Sequence, residues 1–162
     1  QACAIRAFDY LSLAPYFQFA DEAHFDEPCI PLLDGKNGFA ENPRASVRAV
    51  YESIIADLNW AVEHLTAERT DKGKINKNVA LGLRARANLF LGNFAEAAAD
   101  AAAAMEGYTP ASMEDLSIPS FYSINDPNWI WGIPLTEDMV LARPMCTACS
   151  WMCAFAGVGY TA

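Results

Sequence analysis

Three thiols close to the C-terminal end are the first residues whose spacing could do chemistry. Cys146, Cys149 and Cys153 form a C-x2-C-x3-C run, the kind of spacing that can seat zinc or an iron–sulfur cluster. A fourth ligand is missing nearby, because the two histidines, His24 and His64, lie far away in sequence. The run therefore reads as small apolar side chains, and neither a metal nor any other cofactor is expected. Five cysteines, an odd number, also leave no complete disulfide framework. Catalytic signatures are absent: there is no phosphate-cradling glycine loop, nucleophile elbow or HExxH. Carboxylates are plentiful, but no pair stands out for acid–base work, so no enzyme is expected. The remaining candidates are rings. Trp129, Trp131, Trp151 and Tyr160 fall in a Pro-rich stretch, where a flat face can act as a stacking surface.

The elements that must position these residues can be read from periodicity. Residues 1–17 read as a helix apolar nearly all round, with Ile5, Phe8, Leu11, Leu13 and Phe17 implying burial from more than one side, and Pro15 near its end. Residues 18–45 are punctuated by Pro and Gly and read as a long loop, in which residues 28–33 are extended and buried. Residues 46–66 carry the clearest stripe, from Val47 and Val50 through Tyr51, Ile54, Ile55, Leu58, Ala61 and Val62 to Leu65. Ser46, or Asn42 with Pro43, can cap this helix. Its charges, among them Arg48, Glu52, Asp57, Glu63 and His64, read as a solvated face, with Asp57 available for a helix-end or interhelix hydrogen bond. Trp60 lies off the stripe and reads as a packing or helix-interface residue.

A turn over residues 70–74 leads to a third helix, from about Lys77 to Leu91, and an Ala-rich fourth, from Phe94 to Glu106. Asn93 and Glu96 have capping-box spacing, and Gly107 suits the C-terminal cap. So short a connection makes helices three and four antiparallel neighbours. Leu81, Ala85, Gly92, Phe94, Ala97 and Ala104 have the spacing of a tetratricopeptide repeat. In that reading Ala85 receives the facing helix, Gly92 makes the turn, Phe94 plugs the base, and Ala97 and Ala104 keep the axes close. After Gly107 recurrent prolines forbid long helices, and residues 129–133 read as a short strand. The expected fold is mostly α: tetratricopeptide-like hairpins over residues 1–107, then an irregular, Pro- and aromatic-rich segment over 108–162.

Composition bounds the partners. The 162 residues are 53% hydrophobic, enough for a packed core. A formal charge of −9 argues against nucleic acid and against adsorption to anionic lipid. Residues 1–8 carry no Met and no signal-peptide pattern, and they read as the inside of a helix. The expectation is a piece of a longer protein.

Several blocks together resemble a known family. They are Ile5-Arg6-Ala7-Phe8-Asp9-Tyr10-Leu11, the run from Arg44 to Leu58, Lys77-Asn78-Val79-Ala80-Leu81-Gly82-Leu83-Arg84-Ala85-Arg86-Ala87, and Gly92-Asn93-Phe94-Ala95-Glu96-Ala97-Ala98. With Trp129-Ile130-Trp131-Gly132-Ile133, they resemble the SusD/RagB family of nutrient-binding outer-membrane lipoproteins of the Bacteroidetes. Asn128 stands where that family often has Glu. The resemblance implies a non-catalytic protein that binds oligosaccharide or another nutrient and delivers it to a TonB-dependent, SusC-like transporter. It implies an outer-membrane, cell-surface location through a lipid anchor absent from this chain, since no lipobox is visible and Cys3 sits within a helix. Residues 108–162 would then be part of a larger SusD-like domain. Sugar binding needs flat aromatic faces, which makes Trp129, Trp151 and Tyr160 the candidate ligand-binding residues. The competing reading is a tetratricopeptide-type protein–protein adaptor, against which the Pro-rich, aromatic continuation argues.

Overall fold

The computed structural model describes residues 1–33, 42–116, 124 and 127–133. These divide into two units, Gln1–Ala67 with Asn76–Ala104, and Glu68–Ile75 with the residues from Met105 onward.

The first unit is built around its longest helix. Ser46 ends a short strand in extended conformation, and its hydroxyl accepts from the Ala49 amide at 3.3 Å, which starts the helix α2 (Val47–His64). Val47, Val50, Tyr51, Ile54, Leu58 and Ala61 are buried along one side, as the stripe predicts. Burying each of the larger of these side chains contributes about 1.5–3 kcal/mol. Helix α2 packs most extensively against α1 (Ala2–Leu13) and α3 (Lys77–Phe90).

Helix α1 differs from expectation. Its buried residues are Ala4, Ala7, Tyr10 and Leu11, followed by Ala14 in a 3₁₀ turn (Ala14–Tyr16). Ile5, Leu13 and Phe17 are instead about half exposed. The small side chains of Ala4 and Ala7 are taken into the core beside Tyr10 and Leu11, and other bulky ones are left at the surface. One polar pair ties α1 to α2. Arg6 Nε and Nη2 donate to the two carboxylate oxygens of Asp57, at 2.7 and 2.6 Å. Asp57 is therefore buried in an interhelix bond and not part of the solvated face.

Between α1 and α2, a 3₁₀ turn (Glu22–His24) is capped by Asp21, and hydrogen bonding to His24 lowers the Asp21 pKa. Strand β1 (Pro28–Pro31) then pairs antiparallel with β2 (Arg44–Ser46), with an irregular register between Pro28 and Pro31. Cys29 and Ile30 are buried, but Pro28, Pro31 and Leu33 are exposed, so only the middle of the stretch read as extended and buried is so. Arg44 fixes the ribbon by donating to the carbonyls of Cys29 and Pro28 at 2.5 and 3.0 Å.

Asn76 starts α3, its Oδ1 accepting from the Val79 amide and its Nδ2 reaching the Ala67 carbonyl. Helix α4 (Phe94–Met105) returns antiparallel to it. The direction follows from three links: Asn78 Nδ2 to the Ala104 carbonyl at 3.1 Å, Arg84 to Asp100, and Asn93 Nδ2 to Asn88 Oδ1. Gly92 makes the turn at φ +79°. Ala85, Ala97 and Ala104 are buried as expected, and Gly82 is a further small residue at this contact, where an added Cβ would lie 3.8 Å from that of Ala104. Phe94 does not plug the hairpin. It is 68% exposed at the first position of α4.

In the second unit, Arg69 Nη1 donates to the Lys74 carbonyl and Gly73 N to Asp71 Oδ1, which closes a turn. Gly107, at φ +81°, follows α4, and α5 (Met113–Leu116) is a single turn. Residues 129–133 do not form a strand in a sheet. They dock on the 71–74 turn through Gly132 N to Lys72 O and Trp131 Nε1 to Gly73 O, at 3.3 and 3.2 Å. A turn offers too few carbonyls for a ladder.

Candidate functional site

Trp129 lies in the docked run, half-buried. Its neighbour Asn128 accepts from the Ala111 amide at 3.0 Å, and Trp131 is held by its indole N–H. These bonds position the run as a whole. Trp151 and Tyr160 lie outside the described residues, as do Cys146, Cys149 and Cys153. Cys3 and Cys29 are free thiols, and burial pushes the Cys29 thiol up. No cluster of three or more His, Cys, Asp or Glu with metal-binding geometry occurs among the described residues. No helix among them is long and apolar enough to cross a membrane.

The first unit carries a hollow of about 320 Å³ that the sequence reading did not find. It is lined by Phe25, Arg48, Glu52, Ile55, Leu91 and Asn93. Arg48, Glu52 and Ile55 come from one side of α2, at i, i+4 and i+7. Leu91 and Asn93 come from the α3–α4 turn. Phe25 arrives with the chain that enters β1. The Arg48 amide donates to the Phe25 carbonyl at 2.9 Å, and its guanidinium stands over the Phe25 ring at 4.8 Å. Arg48 Nε also lies 3.9 Å from Asp26 Oδ1. Asn93 is fixed by two bonds to Asn88, from its backbone N at 2.9 Å and from Nδ2 at 3.2 Å. The available signal was the shared spacing of Arg48 and Glu52, but the partners come from segments more than twenty residues away.

Trp60 was expected in packing and is 57% exposed, with its ring stacked on His64 at 3.8 Å and 22°. The His64 ring nitrogen Nδ1 lies 2.8 Å from the Trp60 carbonyl, which holds the stack in place.

The arrangement of α1–α4 recurs in solved structures. A SusD-like carbohydrate binding protein from Bacteroides vulgatus ATCC 8482 is 30% identical, with a TM-score of 0.73 over 86% of this chain and 30% of its own. The chain belongs to the SusD-like family. A second SusD superfamily protein from B. vulgatus is 26% identical, with a TM-score of 0.63 over 70% of this chain and 27% of its own. A SusD superfamily protein from Bacteroides thetaiotaomicron VPI-5482 shares the fold at 20% identity, with a TM-score of 0.74 over 89% of this chain and 31% of its own. The sequence matches no protein-family model and no curated protein. The chain thus spans about 30% of the length of these SusD-like relatives.

Proposed function

We propose that this SusD-like chain belongs to a cell-surface protein that captures oligosaccharide or a related nutrient without catalysis and passes it to a TonB-dependent, SusC-like transporter of the outer membrane. One observation carries the reading: the match to the SusD-like carbohydrate binding protein from B. vulgatus extends over 86% of this chain. In this reading residues 1–107 form a tetratricopeptide-like scaffold, supported by the buried Ala85, Ala97 and Ala104 and by the Gly92 turn. Residues 108–162 are part of the same larger domain, and a lipid anchor outside this chain holds the whole at the membrane. Trp129, Trp151 and Tyr160 are the proposed ligand contacts, each offering a ring face to the apolar CH patches of a pyranose. The acidic balance of this chain, −9, argues against phosphate-rich partners.

The test uses the full-length protein. Affinity electrophoresis through gels containing starch, xylan, mannan or pectin is expected to retard it in at least one. Co-purification from solubilised outer membranes is expected to recover a TonB-dependent transporter. Free migration in every gel, with recovery of a soluble helical-peptide partner instead, would overturn the proposal.

A further inference from the structure

We propose that the hollow beside α2 is a subsite for one neutral sugar residue, built from residues other than the proposed contacts Trp129, Trp151 and Tyr160. The inference rests on the carbohydrate reading above and deepens it.

Size and shape come first. At about 320 Å³ the hollow lies at the lower end of the range of small-molecule sites. It suits a single ring and not an extended chain. It is partly open, so the ring can belong to a longer oligosaccharide.

The lining decides the chemistry. Phe25, Ile55 and Leu91 supply apolar wall for the CH face of a ring. Arg48 supplies only donors, Glu52 only acceptors, and the Asn93 amide can supply either. Hydroxyls, which donate and accept, match such a mixed set. Charge excludes the alternatives. Among the described residues that line the hollow the cation is Arg48, which stands within 3.9 Å of the Asp26 carboxylate and one helical turn from Glu52. A phosphate or carboxylate ligand would meet those two anions, and a cationic ligand would meet Arg48. A neutral polyol meets no like charge.

The site is also built before any ligand arrives. The Arg48 guanidinium rests on the Phe25 ring, and a backbone bond ties the two residues together. Asn93 is held by Asn88. Those two side chains lose less freedom on binding than unanchored ones would, which favours even a weak ligand.

The test is isothermal titration of the full-length protein with neutral hexaoses of glucose, xylose and mannose, and with hexagalacturonate as the charged control. At least one neutral hexaose is expected to bind and hexagalacturonate is not. Glu52→Leu and Asn93→Ala are each expected to weaken binding by about fivefold or more, the loss of one hydrogen bond. Ile55→Trp, which fills the hollow, is expected to remove the contribution of this subsite, and thermal melts confirm that each variant is folded. A hexaose bound with unchanged affinity by all three variants overturns the subsite and leaves the carbohydrate reading intact. Binding of hexagalacturonate alone overturns the neutral-ligand argument. Failure of every sugar to bind the unsubstituted protein overturns both.

Discussion

Tyr51 tests the core most directly, because its hydroxyl can be removed without changing its shape. The side chain is 1% exposed, and its ring tilts against Phe90 with centroids 5.6 Å apart. Among the described residues its hydroxyl has no hydrogen-bond partner. A buried, unpaired hydroxyl costs about 1–3 kcal/mol, so Tyr51→Phe keeps the ring contacts and is expected to stabilise the chain by about 1 kcal/mol at pH 7. The same burial makes stability depend on pH. Burial, with a smaller push from Cys29 and an opposing pull from Arg86, raises the Tyr51 pKa from 10 to about 12. The folded chain then holds its phenolic proton after the unfolded chain has released it. The contribution is complete below pH 10 and is lost as pH rises from about 10 to about 12. Two pKa units correspond to roughly 2–3 kcal/mol. Urea titrations followed by circular dichroism, for both proteins from pH 7 to 12, read the difference directly. The gap between the Phe variant and the Tyr parent is expected to widen above pH 10. A variant less stable by about 1 kcal/mol at pH 7, with a pH-independent gap, would refute the reasoning, because it would mean that the hydroxyl is bonded.

Two ion pairs of similar geometry should differ in value. Asp100→Ala strips Arg84, whose side chain is 22% exposed, and is expected to cost about 3 kcal/mol, whereas Asp57→Ala leaves the 45%-exposed Arg6 able to reach water and is expected to cost about 1 kcal/mol, both by urea titration. The double change Arg84→Met with Asp100→Leu is expected to recover most of the first loss. Gly92→Ala meets no atom but forces a side chain to φ +79°, and is expected to lower stability by about 1–2 kcal/mol, while Gly82→Ala makes an ordinary contact with Ala104 and is expected to raise it by up to about 1 kcal/mol. Phe94→Ser removes a ring that is 68% exposed, and thermal melts are expected to register a change within about 0.5 kcal/mol.

The limits of the sequence reading follow from which forces are local. The α2 stripe, the Ser46 cap and the Gly92 and Gly107 turns are written in adjacent residues, and all are found. Helix α1 was misjudged because hydrophobicity records what can be buried, not what fits. Its buried side takes Ala4 and Ala7, which periodicity weights least, along with Tyr10 and Leu11, and leaves Ile5 and Leu13 about half exposed. Phe94 was given a role by its position in a repeat, and it is exposed at the first position of α4 instead. Asp57 could be read as solvated or as bonded between helices; the interhelix bond is found, and what the sequence does not name is its partner, Arg6, 51 positions away. The hollow was invisible for the same reason: Phe25, Arg48 and Asn93 share no local pattern and meet only when α2, the α3–α4 turn and the approach to β1 are assembled.

Those distant pairs answer a problem that alanine creates. An Ala-rich helix face is smooth, and one turn looks much like the next, so packing alone specifies register weakly. Both helices that present small side chains are pinned by a bidentate Arg–Asp pair, α1 to α2 through Arg6 and Asp57, and α3 to α4 through Arg84 and Asp100. The second pair is reinforced by Asn88 to Asp100 and by Asn59, which accepts from Arg84 and so ties α2 into the same network. A one-turn slip along either seam would bury a charge without its partner, at several kcal/mol. Asn93, which lines the hollow, is bonded to the same Asn88. The register of the α3–α4 hairpin therefore also sets the position of one wall of the proposed sugar subsite.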